Sequence, residues 1–318
     1  MVSMLRYFSI ILCVILYLFT FSMQVQGEEL HEKVKVIVNI PSRTLDVYKN
    51  DKIIKKYAVG VGTKENKTPV GRFSIIEKEV NPTWIKPVKE NEDPVIIKSG
   101  PDNPLGYRWI GFADTYGIHG TNHPESIGGY VSNGCIRMKE SDVEELFEMV
   151  PLQAYLEIRY DRILLKQDMA GEYTLFIYPD EYQIKPVNVN EVQQKLTEVG
   201  LKDFVSEEQI KQALQKNSCS VFKIGKPYAI MVFGKKINEK AIKKENQIYL
   251  PVNPIATEAK MEVRWDPESL LLTSAYGNVD GYNLNDRLYV KKSDLIALFH
   301  LYSRWYPDEE TMYLDYEE

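Results

Sequence analysis

The sequence is poor in cysteine and histidine. Its 318 residues include three cysteines and four histidines. Three cysteines are too few for a disulfide framework, and histidines spread from His31 to His300 leave little material for a metal centre. Any chemistry that needs a thiol or an imidazole must therefore use one of very few residues.

Positive charge is also in short supply. There are 39 Lys and Arg residues against 45 Asp and Glu residues, so the formal net charge is −6. This balance excludes nucleic acid as an expected partner. The apolar fraction of 44% and the charged fraction of 26% exclude a disordered or collagen-like chain. The length suits two or more domains.

Long apolar runs are absent after the first segment. Residues 1–27 contain a basic residue, an apolar run over residues 7–21 and a polar end, which is the layout of a secretory signal. We expect cleavage after Gly27 or, since a run of about 15–17 residues borders on a membrane span, an uncleaved anchor. Cys13 lies inside the run, which does not indicate a lipoprotein. Both readings predict an exported, extracytoplasmic protein.

Residues 34–160 have the pattern of a mainly β domain. Apolar residues alternate with polar ones from Val34 to Ile40, as in a half-buried strand. Gly60 and Gly62 indicate a tight backbone passage. Turn signals recur between short apolar segments, which predicts a β-sandwich or barrel. The other strands are expected at residues 45–48, 53–61, 72–76 and 155–160.

One helix is well marked in this domain. Ser141 and Glu144 have the spacing of a capping box. Apolar residues then follow at helical spacing until Pro151. The spacing predicts a short helix directly after the segment that contains Cys135.

Residues 161–220 are expected to form an α+β connecting region. A strand is predicted at residues 174–178, and amphipathic helices are predicted at residues 189–199 and 206–215. Ser206 and Gln209 form a possible second capping box. No catalytic constellation is present there.

Residues 221–316 contain an internal repeat. After a shift of forty positions, Gln247-Ile248-Tyr249-Leu250 aligns with Arg287-Leu288-Tyr289-Val290, and Arg264-Trp265 aligns with Arg304-Trp305. Each unit is predicted to be a strand, a helix and a Trp-containing strand. Repeats of this size form small modules for binding or spacing.

The segment from Tyr116 to Met138 concentrates the scarce residue types. It contains His119 and Cys135, sixteen residues apart. A cysteine nucleophile needs a base, for which imidazole is suited, and backbone N–H donors for the developing oxyanion. Gly134 permits a close approach of the chain beside Cys135, and Arg137 could bind a carboxylate.

Other interpretations of these residues remain open. Cys135 could be an inert buried residue or, in an exported protein, pair with Cys219. His119 and His123 have the spacing of a helical zinc pair, although the residues between them are poor helix formers. His123 could instead be a substrate-loop residue or merely exposed. A papain-like peptidase is disfavoured because such enzymes have the cysteine before the histidine in the sequence, whereas His119 precedes Cys135.

The segment resembles the signature of the L,D-transpeptidase (YkuD-type) catalytic domain. The matching residues are Ile118-His119-Gly120-Thr121 and Ser132-Asn133-Gly134-Cys135-Ile136-Arg137-Met138. Upstream, Thr68-Pro69-Val70-Gly71 and Asn103-Pro104-Leu105-Gly106 also resemble the family. The resemblance covers about residues 34–160. Asn133 stands where many members have histidine, at a position that acts through its backbone.

The resemblance implies a role for each matching residue. Cys135 would be the nucleophile and His119 its base, oriented by a backbone carbonyl near Ser132. The N–H groups of Gly134 and Cys135 would form the oxyanion site. Ser132 and Asn133 are assigned, with Gly134, to forming the oxyanion site or orienting its groups. The residues expected to contact substrate are Arg137, Gly120, Thr121 and Tyr107.

The implied reaction is acyl transfer on peptidoglycan stem peptides without metal or cofactor. The thiolate would expel the terminal D-alanine from a stem tetrapeptide, and an amine of a neighbouring stem would resolve the thioester to a 3→3 cross-link. Water in place of the amine would give L,D-carboxypeptidase activity. A non-catalytic cell-wall-binding protein is the alternative from another class. Carbapenems acylate the thiol of this family.

Residues 221–316 resemble the copper amine oxidase N-terminal-like module, which is attached to exported enzymes of Gram-positive bacteria. His300 is the only histidine in this range, so copper binding is not expected. The resemblance implies a spacer or wall-binding module.

Overall fold

The structure is a computed structural model, and it describes residues 34–86, 93–284 and 286–316. The predicted signal or anchor over residues 1–27 lies outside the described residues. Within them, no helix is both long and apolar enough to span a membrane. The described chain forms two compact units, one of residues 34–39 and 43–159, the other of residues 40–42 and 160–316.

The first unit is built from short strands and one helix. Its strands are β1 (Val34–Asn39), β2 (Thr44–Lys49), β3 (Lys52–Ala58), β4 (Val61–Gly62), β5 (Gly71–Ser74), β6 (Glu77–Val80), β7 (Trp84–Ile85), β8 (Ile96–Ile97), β9 (Arg108–Ala113), β10 (Tyr116–His119), β11 (Tyr130–Ser132), β12 (Ile136–Arg137) and β13 (Tyr155–Arg159). The helix α1 spans Glu140–Met149, and a 3₁₀ turn spans Pro124–Ser126.

Two sheets form the body of this unit. The larger has the order β3-β2-β1-β13-β5, and the smaller has the order β12-β10-β9-β6. In β1, the predicted alternation is confirmed, because Val36 and Val38 are fully buried. The sheets touch through Phe73 and Phe112, whose ring centroids are 5.2 Å apart. The smaller sheet contains the parallel pair β10–β12, which belongs to the segment that concentrates the scarce residues.

The predicted helix after Cys135 is present, but its predicted capping box is wrong. Helix α1 begins at Glu140, and Lys139 is its N-cap residue without a side-chain cap bond. Ser141 therefore lies inside the first turn, where its Oγ donates to the Asp142 carboxylate. The Lys139 carbonyl accepts from the N–H groups of Asp142 and Val143 in the first turn. Burial of Val143 and Leu146 fixes the orientation of the helix.

The second unit is α+β. Its strands are β14 (Ile163–Gln167), β15 (Tyr173–Ile177), β16 (Ser220–Val232), β17 (Lys235–Lys236), β18 (Ala241–Lys244), β19 (Gln247–Pro251), β20 (Arg264–Asp266), β21 (Leu271–Thr273), β22 (Asn278–Asp280), β23 (Tyr282–Leu284), β24 (Arg287–Lys291), β25 (Tyr302–Tyr306) and β26 (Thr311–Asp315). Its α-helices are α2 (Val189–Glu198), α3 (Glu207–Gln215), α4 (Val252–Ala259) and α5 (Leu295–Phe299). Its 3₁₀ turns are Lys202–Phe204, Lys292–Asp294 and Pro307–Glu309.

The elements predicted between residues 161 and 220 are confirmed. Strand β15 and helices α2 and α3 lie within two residues of their expected bounds. Ser206 and Gln209 form a complete capping box at α3. Strand β16 begins at Ser220 and is shared by two hydrophobic clusters, because Ile224 packs in one and Ile230 in the other. The subdivision of this unit at residue 220 stays a prediction.

The predicted tandem repeat is confirmed as two strand–helix–strand units. They consist of β19, α4 and β20, and of β24, α5 and β25. Strands β19 and β24 pair antiparallel with Leu250 opposite Val290, which are equivalent residues of the two units. Lys260 and His300, also equivalent, end the two helices with the same φ of 54°. The mainly β fold followed by an α+β region is therefore confirmed.

Candidate active site

Strands β10 and β12 bring His119 and Cys135 to one face of the smaller sheet. The strands are parallel, with Ile118 opposite Ile136 and His119 opposite Arg137. Both isoleucines are fully buried. Because side chains alternate along a strand, His119, Arg137 and Cys135 project to the opposite face. Residues that are sixteen positions apart in the sequence thus share one site.

The imidazole of His119 is buried and held by a backbone carbonyl. It is 4% exposed. Its Nδ1 donates to the Gly120 carbonyl at 2.6 Å, which leaves Nε2 with a lone pair. The prediction that a carbonyl near Ser132 orients His119 is therefore wrong, because Nδ1 donates to the carbonyl of Gly120. Burial and, less strongly, Arg137 lower the pKa of His119 to about 4, against the opposing effect of the Gly120 carbonyl.

Trp109 supports His119 from the neighbouring strand. The two residues are directly opposite in the β9–β10 pair. Their rings stack with centroids 5.8 Å apart and an interplanar angle of 21°. Trp109 also covers Gly117, where an added Cβ would lie 2.6 Å from indole carbons. The sequence analysis missed Trp109, although its place in an apolar strand before the motif was the available signal.

Cys135 is a half-buried, free thiol. The predicted alternative of a disulfide with Cys219 is thus wrong. Its Sγ lies 3.6 Å from the Thr115 carbonyl. Burial raises the thiol pKa, while the Gly117 N–H and the Arg137 guanidinium lower it less strongly. At neutral pH the resting site therefore contains a protonated thiol and a neutral imidazole.

A small hydrogen-bonded turn shapes the loop before Cys135. The hydroxyl of Ser132, 2% exposed, donates to the Cys135 carbonyl at 2.5 Å and accepts from the Gly134 N–H at 3.1 Å. Ser132 therefore engages the Gly134 N–H in this structure, and the service of that N–H to the oxyanion stays a prediction. Gly134 has a φ of 112°, and an added Cβ would lie 2.5 Å from the Tyr116 ring. The Ser132 hydroxyl thus ties together the backbone on both sides of Gly134.

Arg137 is fixed by its backbone and has an unused side-chain donor. Its N–H and carbonyl exchange hydrogen bonds of 2.8 and 2.9 Å with Gly60. Its buried Nε has no hydrogen-bond partner within residues 34–86, 93–284 and 286–316. Burial lowers the pKa of this guanidinium, and Cys135 and Glu125 oppose that effect. A cationic group with an unpaired buried donor suits an anionic ligand.

The remaining predicted residues have different surroundings. Asn133 is exposed, and its Oδ1 accepts from the Asn66 amide at 3.2 Å. Gly120 is buried and Thr121 is 4% exposed, with its hydroxyl accepting from the His123 N–H. Both are as buried as His119 itself. The substrate contact expected of Gly120 and Thr121 stays a prediction, and the Gly120 carbonyl in addition supports His119.

Glu140 is a second residue that the sequence analysis missed. Its carboxylate occupies the space that a Cβ on Gly106 or on Gly120 would need. The Tyr107 N–H donates to its Oε2 at 3.1 Å. Tyr107 thus lies at the site through its backbone, and its side chain is half-buried. The match of Glu140 to two glycines could not be found from sequence spacing.

His123 is separate from His119. It is an exposed residue whose Nδ1 lies 3.0 Å from the Glu125 carboxylate. In the part of the chain that the structure describes, no three His, Cys, Asp or Glu side chains are grouped to hold a metal ion.

Comparisons with known proteins identify the family. The YkuD model, described as an L,D-transpeptidase catalytic domain, matches residues 33–174. The putative L,D-transpeptidase YqjB of Bacillus subtilis is 38% identical over 156 residues, which are 47% of this chain and 84% of that protein. The putative L,D-transpeptidase YkuD of Bacillus subtilis is 38% identical over 117 residues, which are 36% of this chain and 60% of that protein.

A solved L,D-transpeptidase from Mycobacterium smegmatis is 18% identical with a TM-score of 0.34, over 40% of this chain and 59% of that one. The chain belongs to the YkuD family of L,D-transpeptidases and is therefore an enzyme of this class. The family match ends at residue 174. The likeness of residues 221–316 to a copper amine oxidase N-terminal-like module stays a prediction.

Proposed function

We propose that the protein is an exported peptidoglycan L,D-transpeptidase that forms 3→3 cross-links between stem peptides. The observation that carries this proposal is the placement of a free thiol, a buried neutral imidazole and a guanidinium on one face of the β10–β12 pair. Membership of the L,D-transpeptidase family supports the reaction class.

In the first half-reaction, Cys135 Sγ attacks the carbonyl carbon of the third stem residue. Nε2 of His119 accepts the thiol proton as the S–C bond forms. The Cys135 N–H donates a hydrogen bond to the developing oxyanion. The C–N bond to terminal D-alanine then breaks, the proton on His119 passes to the departing amine, and a thioester remains.

In the second half-reaction, a side-chain amine of a neighbouring stem attacks the thioester carbonyl. His119 takes the proton of this amine and returns one to the sulfur as the C–S bond breaks. One amide bond is thus exchanged for another, and no oxidant, metal or nucleotide enters the balance. A deeply buried base suits this reaction because water must be kept from the thioester.

The resting charge state determines how Cys135 is activated. Its pKa is raised and that of His119 is lowered, so a preformed thiolate–imidazolium pair is disfavoured. Proton transfer must therefore accompany attack, as in general-base catalysis. Arg137 lowers the pKa of both groups, so it favours the thiolate and disfavours the imidazolium.

Arg137 is the residue that we assign to a substrate carboxylate. Its half-buried guanidinium has an unpaired Nε among the described residues, and it shares its sheet face with the nucleophile. Stem tetrapeptides end in a carboxylate next to the bond to be broken. One charge-assisted hydrogen bond of this kind contributes about 1.5–3 kcal/mol to binding.

Residues 1–27 are proposed to direct export, as a cleaved signal or as a membrane anchor in a Gram-positive envelope. The second unit is proposed to act as a spacer or wall-binding module. Its tandem strand–helix–strand repeat supports this role, since such modules present surfaces beside an enzyme.

Incubation of the purified protein with disaccharide tetrapeptide tests the reaction. Mass spectrometry should detect a cross-linked dimer that lacks one D-alanine, in amounts that depend on Cys135. Tripeptide without dimer would replace the transpeptidase by an L,D-carboxypeptidase. No change of the tetrapeptide would favour a non-catalytic cell-wall-binding protein.

A further inference from the structure

Glu140 places a carboxylate against Gly120, the residue that directly follows His119. It is the first residue of α1. An added Cβ on Gly106 or Gly120 would collide with its Oε1, so both glycines are needed to admit the carboxylate. Gly106 also has a φ of 66°, which favours glycine independently. Two backbone positions are thus shaped around one side chain.

The carboxylate faces the backbone N–H groups of Tyr107 and Thr121, the residues that follow Gly106 and Gly120. The Tyr107 N–H donates to Oε2 at 3.1 Å. The Thr121 N–H also faces the carboxylate and, like that of Tyr107, favours its charged form. Oε1 is buried without a partner of full hydrogen-bond geometry in the described part of the chain. A buried acceptor without a partner destabilises the folded state, so its presence here calls for an explanation.

One peptide group connects this carboxylate to His119. The Thr121 N–H and the Gly120 carbonyl belong to the same planar unit and point in opposite directions. The N–H side faces Glu140, and the carbonyl side accepts from His119 Nδ1 at 2.6 Å. The carboxylate packs against Gly120, so its negative charge lies on the N–H side of this peptide group, polarises it and strengthens acceptance at the carbonyl side.

We propose that Glu140 is a positioning residue that orients and polarises His119 through the Gly120–Thr121 peptide. The proposal rests on the proposed function of Cys135 and His119. Carboxylate, peptide and imidazole together would do what a carboxylate bonded directly to imidazole does in other triads. Glu140 touches no reacting atom.

The acceptor geometry predicts how Glu140→Gln behaves. Glutamine keeps the shape but offers one oxygen to two N–H groups, so its amide must oppose one of them. Acylation of Cys135 by a carbapenem is followed by intact-protein mass spectrometry. We expect Glu140→Gln to lower the second-order rate about tenfold at neutral pH, equivalent to ~1.4 kcal/mol. Glu148→Gln, an exposed position on the same helix, is the matched control and should stay within about twofold of wild type.

The pH dependence separates this role from a merely structural one. Burial raises the pKa of Glu140, the Tyr107 and Thr121 N–H groups and Arg108 lower it, and Glu144 raises it. Protonated glutamic acid resembles glutamine. The wild-type and Glu140→Gln rates should therefore converge as the pH falls through the pKa of Glu140, whereas a structural defect would keep their ratio constant.

Three outcomes are distinguishable. If His119→Gln is acylated as fast as wild type, the proposed function fails. If His119→Gln is slow but Glu140→Gln equals wild type, only the role of Glu140 is overturned. Should Glu140→Gln fail to fold, Glu140→Asp keeps the negative charge at the start of α1 but falls one methylene short of both N–H groups. It should then show the same loss, and a wild-type rate for it would overturn the proposal.

Discussion

The imidazole of His119 stacks against the indole of Trp109, its direct cross-strand neighbour, with ring centroids 5.8 Å apart. The indole also closes the space above Gly117, whose N–H favours the thiolate of Cys135. Trp109 thus touches the supports of both catalytic groups. Its Nε1 lies 3.3 Å from the Glu77 carboxylate, which restrains the ring.

Replacing Trp109 by leucine should therefore slow chemistry more than binding. We expect kcat for D-alanine release to fall about tenfold with KM changed less than about twofold, because misplacing a base affects the transition state selectively. Trp109→Phe keeps an aromatic ring on His119 and should retain most of kcat. Equal losses in the two variants would show that stacking is unimportant.

Burial should keep His119 neutral well into the acid range. Its pKa is lowered to about 4, so the imidazole stays unprotonated at any pH well above that value. NMR titration of the imidazole checks this, with His119→Gln to assign the resonance. Because Arg137 contributes to the lowering, Arg137→Gln should raise the pKa. An imidazole that titrates near the ordinary value of about 6.5 would contradict the buried, neutral base.

Two glycines of the catalytic loop separate backbone strain from steric clash. Gly134 and Gly128 both have positive φ, 112° and 89°, but only Gly134 has neighbours within 4 Å of an added Cβ. Gly128→Ala should cost about 1 kcal/mol of stability through strain alone. Gly134→Ala should also displace the Tyr116 ring or the Cys135 loop and reduce acylation of Cys135 about a hundredfold. Similar acylation rates in the two variants would contradict the prediction that a Cβ at Gly134 clashes with the Tyr116 ring.

The equivalent helix ends of the repeat make a stability prediction. Lys260 and His300 both have a φ of 54° directly after a helix, where glycine is favoured. Lys260→Gly should stabilise the second unit by about 0.5–1 kcal/mol and so raise its midpoint of thermal unfolding. His300→Gly should gain less, because His300 also stacks on Tyr276 with centroids 5.3 Å apart. Destabilisation by Lys260→Gly would contradict the strained cap.

Local sequence patterns predicted much of the fold. Alternation identified β1, and the capping box at Ser206 and Gln209 identified α3. The box proposed at Ser141 and Glu144 was wrong, because tertiary contacts of Glu140 start α1 earlier than local side-chain pairing suggested. The forty-residue repeat is also present in the backbone conformation, because both units bury the same faces.

The candidate site was predicted less completely. Cys135, His119 and Arg137 came from residue chemistry and the motif, and they share a face as expected. Trp109 and Glu140 were missed because their roles depend on contacts between strands and on space left by glycines far away in sequence. The partner of His119 Nδ1 was wrongly assigned for the same reason, since spacing does not tell which carbonyl faces a ring.

Cys135 is proposed to be the acylated nucleophile, activated by His119. The direct measurement is peptide mapping of protein quenched during turnover of stem tetrapeptide. A thioester-linked stem tripeptide on Cys135, formed with one equivalent of D-alanine and lost in Cys135→Ala, is the predicted result. Its formation should slow at least about a hundredfold in His119→Gln. Release of D-alanine by Cys135→Ala at the wild-type rate would contradict the account.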